Sequence, residues 1–407
     1  MRLFNIFTVL SILSISQISF ANSTINPNSS VVHLRISCEI GGGQFEENCF
    51  ESTSALTDWL WDGGRTNLPS EHDRVHVIMG PGEFAPFECI GSVNAPTQKG
   101  WVSVTGSGAT SSKFTRADKV ISINSSCAAA IEIKHCDGLE FSNIGAYGPT
   151  GVNWAGAGTG KWNHVDMIGE ITEENVCPSN YSGSLGWYDI ADGASDKSLQ
   201  YIFSSRIWAL DGGGSTYAQV GFNSHNSESW IYGSDIAGIS GVAETLGFNM
   251  GVFILAPADV RVFGGTIRAV SSAAHEGNYF EGVRVKGGTF HMHGGIISLD
   301  STKSSVITTT AIYVEASQSV VHTPGTAFVV KAAASSTSSR LKDIGSNSKI
   351  MSPFLWQASE IAPTRGSLHG QDMFVDTNVN GSGEAHLMVF DNTCSSKWRD
   401  MVTGDCR

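Results

Sequence analysis

Four eleven-residue strings follow one another at a fixed interval of thirty residues: WIYGSDIAGIS from Trp230, VRVFGGTIRAV from Val260, FHMHGGIISLD from Phe290 and VVHTPGTAFVV from Val320. A fixed period in this range marks a repeat architecture, in which a unit too small to bury its own apolar face stacks on its neighbours. Each string holds two short runs split by a turn pair: Gly233-Ser234, Gly264-Gly265, Gly294-Gly295 and Pro324-Gly325. The runs alternate with a period of two, as strands do. Aligned without gaps, Trp230, Val260, Phe290 and Val320 share one inward column, and Tyr232, Val262, Met292 and His322 share the next. Past the turn, Ala237, Ile267, Ile297 and Ala327 form a column, as do Ile239, Ala269, Leu299 and Val329. His322 is the misfit, a polar ring in a column otherwise apolar or aromatic: either a tolerated interior histidine or the sign of a coil out of register. A third strand precedes each of the last three units, and its inward residues are Val252, Ile254, Val283, Val285, Ile312 and Val314. The rest of each period is loop, 241–250, 271–281 and 301–310, projecting from one side of the stack.

Three strands per coil with stacked aliphatic columns resembles the right-handed parallel β-helix of the pectate-lyase-like superfamily. The fold class expected is therefore all-β: a parallel β-helix solenoid with an N-terminal capping helix and a small C-terminal β-module. Val75 to Phe84 looks like the opening coil. Trp101–Gly106, Val120–Ile123, Ile131–Ile133 and Leu139–Phe141 continue it, and Thr53 to Trp61 before them reads as a short amphipathic helix closing the open end. Trp154 to Trp187, rich in Gly and Trp, reads as a long excursion from the coil. The segments near Ala362–Ser367, Gly370–Thr377 and Lys397–Asp400 resemble the small β-modules that follow β-helices in bacterial and phage glycan-active proteins. The expected division is a signal peptide over 1–21, a cap segment over 22–72, the β-helix over 73–350 and the module over 351–407.

The opening Met1-Arg2-Leu3, the apolar stretch Phe4 to Phe20 and Ser19-Phe20-Ala21 read as a secretory signal cleaved after Ala21. Polar residues at Asn5, Ser11, Ser14, Ser16 and Gln17 interrupt the stretch, which makes it a poor membrane anchor, and no later segment approaches the ~20 apolar residues of a span. The destination expected is secreted, periplasmic or cell-surface. All eight Cys lie beyond the signal, where an oxidising compartment favours disulfides. Eight allow about 105 pairings, and the local pairs Cys38–Cys49, Cys127–Cys136 and Cys394–Cys406 are the simplest. With no Cys-x-x-Cys spacing, no structural zinc site is expected. The formal net charge of −13 argues against nucleic acid, whose binding runs on Lys and Arg. It points to neutral glycans, or to acidic ones bound with cation assistance.

The catalytic strings of the polygalacturonases, pectate lyases, pectin methylesterases and alginate-lyase-like enzymes are absent as sets, so the resemblance carries fold and not reaction. Three constellations remain. Arg284, Lys286 and Tyr313 stand on an outward ladder with Phe253, Leu255 and Glu315, next to the recurring loops; a wall of loops beside a flat sheet makes a groove for an extended chain, with Tyr313 stacking and the two cations bonding hydroxyls or carboxylates. His291 and His293 lie two apart on one strand face and would hold a metal only if a third ligand converged. No residue presents itself as that ligand in the linear pattern, so no metal site is assigned. Trp154 and Trp162, with Trp187, Trp208, Asp189 and Asp192, would stack sugars on exposed indole faces and supply paired carboxylates. The function expected is binding or processing of extracellular polysaccharide. A non-catalytic structural or adhesive surface protein is the alternative. Turnover is left open; an enzyme on this scaffold would be a polysaccharide lyase or glycoside hydrolase. No cofactor is identified, and Ca2+ is left open.

Overall fold

The computed structural model describes residues 29–61, 74–91, 101–118, 127–172, 183–212, 218–240, 248–271, 279–301, 308–331, 337–343 and 349–350, most of the strands between 355 and 406, and not a few single positions within these spans. The expected signal segment, the strand at Val120–Ile123 and most of the three recurring loops lie outside the described residues. Within them the chain is a parallel β-helix. Three sheets of twelve, nine and nine strands take every third strand of the chain from Arg74–Met79 onward, Ser29–Leu34 and Cys49–Phe50 extend the first sheet at its N-terminal edge, and every pairing in them is parallel. One coil thus contributes one strand to each sheet, and side chains alternate between a dry interior and the outer face.

The interior has the composition expected in the last coils. Val252, Ile254, Val283, Val285, Ile312 and Val314 are fully buried in the second sheet, and Val260, Val262, Phe290 and Met292 in the first. Ile267, Ala269, Ile297 and Leu299 line the third. The gapless alignment holds for these two coils and fails on both sides. Val260 pairs with Ser229, not Trp230, and Phe290 pairs with Val321, not Val320. Past the turn, Ile267 pairs with Ile236 and Ile297 with Phe328. A slip of one residue sends every side chain of a strand to the opposite face. Trp230, Tyr232, Ile239, Val320, His322, Ala327 and Val329 therefore lie away from the interior columns assigned to them, and Ile231, Ile236, Val321, Phe328 and Val330 take the inward positions. The cause is turn length. Ser224 pairs with Ile254 and Glu228 with Asp259, so the corner that advances four residues in one coil advances five in the next. Individual coils gain or lose a residue there, so thirty is an average and not a register.

The helix Thr53–Trp61 forms as expected. The Ser52 hydroxyl accepts from the Ala55 amide, capping its first turn. Leu56 and Leu60 are buried against the first coils, and Trp61 meets Phe87 edge-on while its indole N–H donates to the Glu88 carbonyl. Cys38–Cys49 and Cys394–Cys406 are bonded as expected. The pairing Cys127–Cys136 is corrected: Cys136 bonds Cys89 across neighbouring strands of the second sheet, and Cys127 is part of another disulfide.

The expected excursion from Trp154 to Trp187 is corrected as well. Thr150–Ala155, Gly158–Asn163, Asp166–Thr172 and Ser184–Ile190 are ordinary coil strands, with residues 173–182 not described. Trp154, Trp162 and Trp187 point inward, and Gly160 leaves room for them; a Cβ there would lie 2.9 Å from both the Trp154 ring and the Trp162 ring nitrogen. At the C-terminal end Leu355–Ser359, Met373–Asp376, His386–Phe390 and Trp398–Asp400 form the separate four-stranded sheet of the expected β-module.

Candidate functional site

Two outer faces of the helix carry concentrated chemistry. The first is the outer face of the second sheet, where the groove floor was expected. Asn153, Tyr188, Asn223, Phe253, Arg284 and Tyr313 pair one after another in register. Tyr188 and the four after it are all partly exposed. Arg284 and Tyr313 are brought together as the sequence suggested: the guanidinium carbon lies 5.0 Å from the Tyr313 ring centre and 5.1 Å from that of Phe248. Arg284 is also committed to its neighbours, donating from Nε to Glu315 at 2.8 Å and pairing with Glu281 at 3.5 Å. Lys286 is 47 % exposed and reaches the other oxygen of Glu315 at 3.3 Å. Burial pushes the Glu315 carboxyl up, but the hydrogen bond and charge of Arg284, reinforced by Lys286, outweigh it and hold the group below its ordinary value. Residues 248–250, 279–281 and 308–310, expected in the loop wall, are the first residues of strands, and the wall itself lies outside the described residues.

Further along the same face His225 sits between rings, edge-on to Tyr188 at 5.2 Å and to Phe253 at 6.2 Å, with Nε2 2.9 Å from the Asn223 side-chain oxygen Oδ1. Burial pushes its pKa below the ordinary histidine value, and the Asp189 charge only partly opposes this.

Trp154 and Trp162 do not offer sugar-stacking faces. Both are 0 % exposed, and Trp162 stacks on Phe141 at 4.6 Å while donating to Gln200. Their expected ligand role is corrected: an indole in the core cannot meet a glycan. The carboxylates beside them are also spoken for. Asp189 is fully buried and accepts from the Trp187 indole, the His225 and Asn226 amides and the Ser227 hydroxyl. Asp192 lies 2.7 Å from the Lys134 ammonium and 3.3 Å from His135 Nε2. Trp208 does lie on the outer face, of the third sheet, with Arg206 and Arg268 over its ring at 5.2 and 5.3 Å and its N–H bonded to Asp235.

The second concentration is on the outer face of the first sheet, and the corrected register creates it. Tyr201, Trp230, Arg261, His291 and His322 form one outward column, and Phe203, Tyr232, Phe263 and His293 the next. The second column is a ladder of nearly parallel rings with centres 5.0, 4.9 and 5.1 Å apart. Its ring faces are spent on one another, so it shows mostly ring edges to solvent. Arg261 lies over Trp230 at 4.4 Å and is neutralised by Asp259 at 2.7 Å. At the end of both columns His291, His293 and His322 converge, and each offers a ring nitrogen within 4.8 Å of those of the other two. His291 and His293 are nearly parallel, and His322 stands at 88° and 86° to them. Burial pushes His291 and His322 below the ordinary histidine value, more than the Asp259 charge raises His291, so both favour the neutral form that ligates metals.

His322 is the converging third histidine that the linear reading did not place beside His291 and His293. The gapless alignment turned it inward, yet its polarity in an apolar column was the available signal that the register there was wrong. No family model matches the chain, and no curated protein or solved structure is significantly similar to it, so the reading of these faces rests on their own geometry.

Proposed function

We propose that the chain is an exported β-helix of the pectate-lyase-like kind that binds extracellular polysaccharide along the outer face of its second sheet, without cleaving it. The observation that carries this reading is the in-register outward column Tyr188, Asn223, Phe253, Arg284, Tyr313. Four coil steps of ~4.8 Å make it roughly 20 Å long, a linear track for an extended polymer rather than a pocket for a small molecule. Rings alternate there with amide and guanidinium groups, which suits sugars that present apolar faces and hydroxyl edges in turn. Binding fits better than turnover because the carboxylates beside the track are engaged: Glu315 by Arg284 and Lys286, Glu281 by Arg284, and the buried Asp189 by four donors. Three disulfides with both partners among the described residues, and no described helix long and apolar enough to cross a membrane, accord with an extracellular setting.

The test is a glycan array probed with the full chain and with a variant carrying Phe253→Ala, Lys286→Ala and Tyr313→Ala, each checked by thermal melt. Binding lost in a folded variant supports the track. Retained affinity places the ligand elsewhere, and release of reducing ends or unsaturated products from a bound glycan would overturn the non-catalytic part.

A further inference from the structure

We propose that His291, His293 and His322 form a binding site for one divalent late-transition-metal ion, with Zn2+ as the reference case and one coordination position left to solvent. The backbone makes the arrangement. His291 and His293 alternate outward from one short strand, Thr289–His293. His322 pairs with His291 on the adjacent strand of the next coil. Three imidazoles therefore occupy the corners of a small triangle whose shape is set by strand spacing and by the two-residue repeat, not by loops.

The distances suit a metal after a modest closure. In a tetrahedral site with Zn–N bonds of ~2.0–2.1 Å, neighbouring ligand nitrogens stand about 3.3 Å apart. Here the three nitrogens all lie within 4.8 Å of one another. His293 is exposed and the other two are partly exposed, so small side-chain rotations close the difference without moving the backbone. The ring of His322 is perpendicular to the other two, so the nitrogens approach a common point from different directions. The ligand type decides the ion: imidazole suits Zn2+, Cu2+ and Ni2+, whereas Ca2+ and Mg2+ require oxygen ligands. Three protein nitrogens on an outer face leave a fourth position for water or for an oxygen of an external ligand. A bound ion would also clamp Thr289–His293 to Val320–His322, near the C-terminal end of the solenoid.

The test uses the full chain after dialysis against a chelator, titrated with ZnCl2 alone by calorimetry and with CoCl2 by visible absorption. One ion per chain and the intense visible bands of low-coordinate Co2+ are expected, with no heat from CaCl2 or MgCl2. His322→Gln and His291→Gln should each weaken binding by more than about tenfold, the loss seen when even an outer partner of a metal ligand is removed. Zn2+ should raise the melting temperature of the wild type and not of the variants. His293→Gln, at an exposed position, serves in place of either variant if its metal-free melt falls below the wild type. Absence of stoichiometric Zn2+ binding, or binding undiminished in the variants and so located among the other nine of twelve histidines, overturns the site. Because the site and the glycan track lie on different sheets and the titration contains no glycan, failure of one leaves the other standing.

Discussion

Phe290 tests the interior at the level of one side chain. It is 0 % exposed and pairs inward with Val260 on one side and Val321 on the other. Phe290→Ala should cost ~3–5 kcal/mol, the range for truncating a buried aromatic that its neighbours cannot collapse upon, and chemical denaturation reads it. His225 tests the outer face. Its neighbours are Tyr188, Phe253 and Asn223, with Asp189 the charge acting on it. Because its folded pKa is depressed, the unfolded chain takes up a proton at His225 near its ordinary value of about 6.5 while the folded chain does not. The stability tied to the neutral ring is therefore complete above that pH and is lost as the pH falls towards the folded value. Melts between about pH 7.5 and 5.5 should show a shallower decline for His225→Gln than for the wild type; what decline remains includes His291 and His322, which are depressed in the same direction. Equal slopes would mean that His225 is solvated in solution.

At the level of strands and turns, the corner between the first and third sheets explains both what the sequence disclosed and what it hid. Gly264-Gly265 and Gly294-Gly295 announce this corner because all four residues have positive φ. They are not equivalent. A Cβ on Gly264 would meet nothing within 4 Å, whereas one on Gly265 would lie 2.2 Å from the Ser234 carbonyl oxygen of the preceding coil. Gly264→Ala should therefore cost only the ~1–2 kcal/mol of placing an L side chain in the left-handed region. Gly265→Ala should cost clearly more, because backbone must also separate between coils; comparison of their denaturation midpoints decides this. At the opposite corners a Gly pair, Gly287-Gly288, has no counterpart in either neighbouring coil. His225-Asn226 and Ala256-Pro257-Ala258 differ by one residue in a stretch with no repeated signal, and that difference flips the faces of the strands that follow. Bulky apolar side chains on both faces hid the slip: Trp230 outside and Ile231 inside serve equally well in an apolar column. The outward placing of Arg284 and Tyr313 was legible because they stand among strictly alternating valines and isoleucines. The histidine triangle was not, since two of its members sit on one strand and the third depended on the register.

Across the whole molecule, the two ends of the solenoid are filled differently, and this determines how the fold should come apart. In the last coils the interior is aliphatic, from Val252 and Ile254 to Ile312 and Val314. In the earlier coils it is aromatic: Phe141 stacks on Trp162, Trp162 meets Trp187 edge-on at 5.3 Å, and Trp187 stacks on Phe222 at 5.6 Å. Small and polar residues occupy the inward column between these regions, where Gly160, Gln200 and Ser229 align with Val260 and Phe290. Their presence is why the earlier coils escaped an apolar repeat search, although their backbone is as regular as that of the later ones. The Cys89–Cys136 bond ties neighbouring strands at the aromatic end. In a solenoid each coil rests only on its neighbours, so stability need not be shared along the axis. Phe290→Ala should therefore speed amide exchange in Tyr279–Lys286, Thr289–His293, Ile296–Asp300 and Val320–His322. Exchange in Leu139–Ser142, Gly158–Asn163 and Ser184–Ile190 should stay as slow as in the wild type. Hydrogen exchange read by mass spectrometry separates these regions directly. Acceleration by the same factor everywhere would instead make the solenoid one cooperative unit, with the polar inward column coupling its two ends rather than dividing them.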